Sequence, residues 1–191
     1  LNTMRVIATF GGYHDRVYVE SNDKIVTQDD NQISLWDIET GDLLKTYSFE
    51  QDVNDITVCP DSKKVAFESG NNFVLINTEI EKITQHKCGG VSDITFSPDS
   101  KKVAFESGNN FVLINTETEK ITQHKCGDWI SNITFSPDSE KVAFRSGNNF
   151  VLINTETEEI TQYKCEGMIS NITFSPDSKK VAGKLDNNFV L

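Results

Sequence analysis

Asp55-Ile-Thr-Val-Cys-Pro-Asp-Ser-Lys-Lys-Val-Ala-Phe-Glu-Ser-Gly-Asn-Asn-Phe-Val-Leu-Ile-Asn77 decides the fold, because the chain repeats it. Close copies begin at Asp93 and Asn132, and a truncated copy begins at Asn171. The proline of the motif falls at Pro60, Pro98, Pro137 and Pro176, with spacings of 38, 39 and 39 residues. Several short strands with turns, returning at a period of about 40 residues, are the pattern of propeller blades.

One unit shows why. Ile94-Thr95-Phe96 alternates as a strand, and Ser97-Pro98-Asp99-Ser100 is a turn in which proline presets φ. Val103-Ala104-Phe105-Glu106 reads as a second strand, followed by Ser107-Gly108-Asn109-Asn110, residues that tolerate the positive φ of a tight hairpin. Phe111-Val112-Leu113-Ile114 is apolar at every position, so a strand there must be covered on both faces, as stacked blades allow. A more polar strand from Lys120 to Lys125 suits an outer edge. Each unit is thus a meander of strands a, b, c and d from the inside outwards.

The segment before Asp55 follows the same plan. Val17-Tyr18-Val19, Ile25-Val26-Thr27, Ile33 to Asp37 and Leu43 to Tyr47 read as its four strands. Ile33-Ser-Leu-Trp36-Asp37-Ile-Glu-Thr-Gly41 resembles the end of a WD-repeat blade, and Phe-Ser-Pro-Asp recurs on strand a where that family carries it. Later units have Ile-Asn-Thr in place of Trp-Asp, at Ile76, Ile114 and Ile153. The resemblance implies an all-β propeller of four-stranded antiparallel blades that serves as an interaction platform.

Five blades are expected, as units 11–50, 51–88, 89–126, 127–165 and 166–191, in a single domain. Residues Met4-Arg5-Val6-Ile7-Ala8-Thr9 fit a lone strand d, which would complete the last unit and close the ring. The competing expectation is an excerpt from a larger propeller.

Composition narrows the partners. A formal charge of −11 and a pI near 4.7 give no net positive field for nucleic acid or anionic membrane. No apolar run approaches the roughly 18–20 residues of a membrane helix, and Leu1-Asn-Thr-Met-Arg has no signal-peptide character. Cys88, Cys126 and Cys165 occupy one repeat position, whereas Cys59 stands where other units have Ser97, Ser136 and Ser175. Repeat copies on neighbouring blades lie on the order of 20 Å apart, beyond the about 7 Å Cα reach of a disulfide. Free thiols and a reducing, cytoplasmic setting are expected.

No catalytic, cofactor or metal residues are expected. His14, His86 and His124 diverge around the ring, and Tyr163 replaces the histidine in the next unit. His86-x-Cys88 and His124-x-Cys126 offer two ligands each, short of the three that zinc needs. Lysines 63, 64, 101, 102, 141, 179 and 180 are expected at exposed a–b turns, facing the acidic c–d turns around Glu79, Glu117 and Glu156 in weak surface pairs.

The opposite rim carries what varies. The units Asp55 to Cys88 and Asp93 to Cys126 differ only at Val58/Phe96, Cys59/Ser97 and Ile80/Thr118. After each cysteine they diverge: Gly89-Gly90, then Gly127-Asp128-Trp129, then Glu166-Gly167-Met168. The ends of strand b change from Glu68 and Glu106 to Arg145. A constant framework with variable Trp129, Asp128, Met168, Glu166, Glu68, Glu106 and Arg145 suits a protein or peptide partner. Trp129 could instead pack between blades. Asn72, Asn110 and Asn149 stand on this rim as turn residues or contacts. The alternatives are a multivalent glycan or small-ligand binder using the asparagine turns, and a structural or engineered repeat protein with no ligand. A monomer is expected, with strand-swapped oligomers a hazard of near-identical units.

Overall fold

The computed structural model describes residues 16–19, 24–185 and 188–190, with side chains for residues 24–185. The first blade comprises β1 (Arg16–Val19), β2 (Lys24–Asp29), β3 (Gln32–Asp37) and β4 (Leu43–Ser48). The second comprises β5 (Val53–Val58), β6 (Lys64–Ser69), β7 (Asn72–Asn77) and β8 (Lys82–Lys87). The third holds β9 (Ser92–Phe96), β10 (Lys102–Ser107), β11 (Asn110–Asn115) and β12 (Ile121–Lys125). The fourth holds β13 (Ile130–Phe135), β14 (Lys141–Ser146), β15 (Asn149–Asn154) and β16 (Ile160–Lys164). Then come β17 (Ile169–Phe174), β18 (Val181–Leu185) and β19 (Asn188–Val190).

Consecutive strands pair in order, giving four sheets of four strands and a last sheet of three among the described residues. The expected closing strand at residues 4–9 lies outside the described residues. The chain divides into two compact units, Leu1–His86 and Lys87–Leu191, and each is described by itself.

The third strands of the second and third blades are buried as their composition requires. Phe73, Val74, Leu75 and Ile76 are all buried, and so are Phe111 to Ile114. In the first unit Val26, Ile33 and Leu35 pack with Val53, Val65, Phe67 and Ile76. In the second, Phe111 and Leu113 pack with Ile130, Phe144 and Ile153 of the following blade. The outer strands β8 and β12 alternate exposed and half-buried residues instead.

The turns explain the repeated polar letters. In Ser97-Pro98-Asp99-Ser100 the Ser97 hydroxyl donates to Asp99 Oδ1 at 2.6 Å and accepts from the Lys102 N–H at 2.9 Å. Ser136 and Ser175 make the same pair of bonds. Cys59 reproduces them in sulfur, donating to Asp61 at 2.8 Å and accepting from Lys64 N–H at 3.0 Å. Burial and the neighbouring Asp61 carboxylate push its thiol up to about 11, so it stays protonated and inert.

At the b–c hairpins, Gly70 (φ 56) with Asn71 (φ 62), and Gly108 (φ 52) with Asn109 (φ 65), adopt paired positive φ values, as a type I′ turn demands. At the c–d turns Asn77, Asn115 and Asn154 each accept two backbone N–H bonds through Oδ1. Asp37 does the same for Glu39 and Thr40 in the first blade. The asparagine of Ile-Asn-Thr therefore takes over the turn role of the Trp-Asp aspartate. The tryptophan is exchanged too. Trp36 Nε1 donates to Thr27 Oγ1 at 2.8 Å, and the second blade carries a smaller isoleucine and a larger phenylalanine at those two repeat positions, Ile76 and Phe67, both in the core.

Two devices had no expectation in the sequence. Asp55, Asp93, Asn132 and Asn171 sit inside the first strands with positive φ, between 49 and 58, where the pairing register shifts. Asp93 Oδ2 accepts from Ile133 N–H of the next blade at 2.9 Å, and Asn132 Oδ1 from Asn171 N–H at 3.0 Å. The turn serines make a second link, with Asp99 N–H donating to Ser139 Oγ and Asp138 N–H to Ser178 Oγ, both at 3.1 Å.

The lysine expectation needs correcting. Lys64 and Lys102 begin strands and are buried, both 8 % exposed. Lys102 Nζ reaches Glu156 of the next blade at 2.7 Å, while Lys63–Glu79 is an open surface pair of the expected kind and Lys120–Glu158 joins two c–d turns instead.

Asn132→Ala will cost about 2–3 kcal/mol in urea unfolding, combining the left-handed penalty with one lost hydrogen bond. Asn132→Gly, which removes the bond but not the conformational freedom, will cost about half as much. Acid will destabilise the fold in a definite window. The hydroxyl of Ser136 holds Asp138 below its ordinary 3.8, and that of Ser175 does so for Asp177. Such groups stabilise the native state above their unfolded value and lose that contribution as pH falls through the folded one. The thermal midpoint should therefore hold down to about pH 5 and fall below about pH 4, less steeply in Asp138→Asn.

Candidate functional site

The variable residues sit where the d–a loops meet the b–c turns. In the fourth blade they form a built cluster. Arg145, the fifth residue of β14, pairs across the sheet with Ser131 and Phe150. Its Nε donates to Gly147 O at 2.7 Å, and its guanidinium carbon lies 4.0 Å from the centre of the Trp129 ring. Gly147 N–H donates to Trp129 O at 3.0 Å, and Asp128 Oδ1 accepts from Trp129 N–H at 2.8 Å. Asp128 closes over Gly147, so that its carboxylate lies where a Cβ on Gly147 would stand. Glycine is favoured there by φ 57, and a side chain would displace the exposed Asp128 carboxylate.

Arg145 is therefore not an exposed anchor, as its place at a strand end had suggested. It is 4 % exposed and acts as a platform under Trp129, whose indole remains 45 % exposed. A cation held beneath an aromatic face fixes the ring and leaves its other face to solvent. Sequence alone could not choose between a Trp129 packed among blades and a presented one, because its neighbours in space lie on another strand.

Met168 holds the equivalent place before the next blade and is 54 % exposed. Asp128 and Glu166 are exposed as well. Glu106 is half-buried, accepting from Ser92 Oγ at 2.5 Å. Glu68, in the first unit, is half-buried and accepts from Asn54 Nδ2 at 3.0 Å and Asn71 N–H at 2.9 Å. These two carboxylates brace their own loops.

The asparagines turn inwards. Asn72 Nδ2 donates to Ser69 O and Gly70 O, Asn110 Nδ2 to Ser107 O and Gly108 O, and Asn149 Nδ2 to Ser146 O. They are turn residues, and their amide donors are occupied.

His14 lies outside the described residues, and the other two histidines have a packing role. His86 stacks over Phe73 and His124 over Phe111, with centroids 6.3 and 6.2 Å apart. Burial lowers the pKa of His124, which favours its neutral form. Among the described residues no three of His, Cys, Asp and Glu gather as a metal site, and no helix is long and apolar enough to cross a membrane. Cys59, Cys88, Cys126 and Cys165 are all free.

No protein-family profile and no curated protein matches the sequence. Among solved structures, the chain is similar to dihydro-heme d1 dehydrogenase NirN in complex with DHE, with a TM-score of 0.70 and 13 % identity. The match covers 94 % of this chain and 43 % of that one, so the chain spans less than half of its neighbour's length. At that identity the likeness is one of fold alone, the repeated antiparallel blades of a β-propeller-like architecture. Such a fold hosts many functions and selects none.

Arg145→Ala will destabilise the chain by about 1.5–3 kcal/mol, since Gly147 O loses a charge-assisted donor in a buried place. Trp129→Ala will cost about 0.5–1 kcal/mol, the scale of a half-exposed cation–π contact. Urea unfolding of both variants checks the order, and a larger loss for Trp129→Ala would make the indole a packing residue.

Proposed function

We propose that this chain is a non-enzymatic interaction platform of WD-repeat type that binds a protein or peptide on the rim of d–a and b–c loops. The observation that carries the reading is the presentation of Trp129. A half-exposed indole, held flat on a buried arginine, offers a rigid apolar face at little entropic cost. Met168 adds an adaptable apolar contact at the equivalent place on the next blade. Around them Asp128 and Glu166 are acidic and exposed. With an overall charge of −11, this favours a basic segment with an apolar anchor and disfavours nucleic acid.

On the same reading the ring has five blades, the last completed by residues 4–9. The four free thiols fit a reducing, cytoplasmic setting. The glycan alternative draws no support from the asparagine turns, whose amides are engaged internally.

Panning a displayed peptide library on the purified chain tests the proposal. Selected peptides should be rich in Lys or Arg with one large apolar residue, and should weaken as salt is raised. Trp129→Ala should reduce their affinity roughly tenfold or more, and Met168→Ala by a smaller factor. Peptides that bind both variants as well as the parent chain would place the partner surface elsewhere.

A further inference from the structure

Three consecutive blades carry a fully buried phenylalanine at one position of their second strand: Phe67 on β6, Phe105 on β10 and Phe144 on β14. The last blade carries Gly183 there. Gly183 follows Ala182 in β18 as Phe144 follows Ala143 in β14, and both alanines pair with a threonine of the first strand. The role of the missing ring is visible one seam earlier. Phe144 stacks on Phe111 of the preceding blade, with centroids 4.6 Å apart and 7° between planes. The counterpart of Phe111 in the fourth blade is Phe150, since Phe111 pairs with His124 as Phe150 pairs with Tyr163.

Phe150 and Gly183 line one cleft of about 510 Å³, together with Leu152, Ile169, Val181 and Leu185. The Ile169 side chain fills part of that space, its Cδ1 2.6 Å from where a Cβ on Gly183 would stand. Among the described residues the remainder is open. Leu75 and Leu113 are 6 % and 5 % exposed, whereas Leu152 in the same repeat position is only half-buried. Val65, Val103 and Val142 are fully buried, and Val181 is half-buried. Two exposed residues of opposite charge, Lys164 and Glu166, also line the cleft, so its charge favours neither sign.

We infer that this cleft binds a neutral small molecule carrying a planar aromatic ring, seated against Phe150 in place of the phenylalanine that the other blades supply. A cavity of about 150 Å³ already accommodates benzene, and the volume here falls within the range of small-molecule sites. The wall is mostly apolar, with its charges exposed, which disfavours ligands that need several buried hydrogen bonds. The flat face of Phe150 selects a ring over a saturated group of equal bulk, because offset stacking adds to burial.

Phenol and cyclohexanol, titrated into the methyl-labelled full chain and followed by NMR, test this. Phenol should shift the methyl signals of Leu152, Ile169, Val181 and Leu185 saturably, with a Kd of about 1 mM. Cyclohexanol should bind roughly two- to tenfold more weakly. Gly183→Phe, which restores the repeat, should abolish binding of both. Phe150→Leu should bring phenol down to the level of cyclohexanol, and it decides the matter if Gly183→Phe does not fold. No saturable shift with phenol up to about 20 mM, equal affinity for the two probes, or undiminished binding in the variants would overturn the inference.

Discussion

A strand without a polar face is the constraint on which the rest of this protein depends. Phe111-Val-Leu-Ile114 and its copies expose apolar atoms on both sides of a sheet only one layer thick. Such a strand is stable only when other sheets cover both faces. Within each compact unit, successive blades do this for each other, as Val26 and Leu35 do for Phe67 and Phe111 does for Phe144. Turns and loops are then pushed to the ends of the blades, which separates a repeated framework from a variable rim.

Stacking by burial alone leaves the blades free to slide, because the hydrophobic effect has no direction. Registry comes from the polar links between inner strands. A left-handed Asp93 or Asn132 aims its side chain at the backbone of the next blade, and Ser139 and Ser178 accept from the turn before them. Asp and Asn are the residues that tolerate that conformation while keeping an acceptor. The repeated letters at those places are thus selected by geometry between blades. The last blade departs from the pattern at Gly183, and its seam loosens just there.

The presented side chains sit where the framework relaxes. Trp129 is presented because Arg145 is buried, so one residue supplies the surface and the other its support. Glu68 and Glu106 brace the loops from the same repeat position in other blades. A single repeat position therefore serves as strut in each case, with opposite charge.

Much of this was readable in the letters. The blade plan, the four-strand order and the hairpins at Gly70-Asn71 and Gly108-Asn109 follow from period, alternation and turn chemistry, which are local properties of the chain. The turn role of Asn72, Asn110 and Asn149 was equally local. Burial of Lys102 and Arg145, the inter-blade reach of Asp93 and Asn132, and the cleft left by Gly183 were not. Each depends on which side chain of another strand or blade stands opposite. The sequence by itself determined what a blade is, because hydrogen bonding and periodicity act along the chain. Only the tertiary structure decided what each blade meets, because seams are made by residues about 40 positions apart, and no local rule couples them.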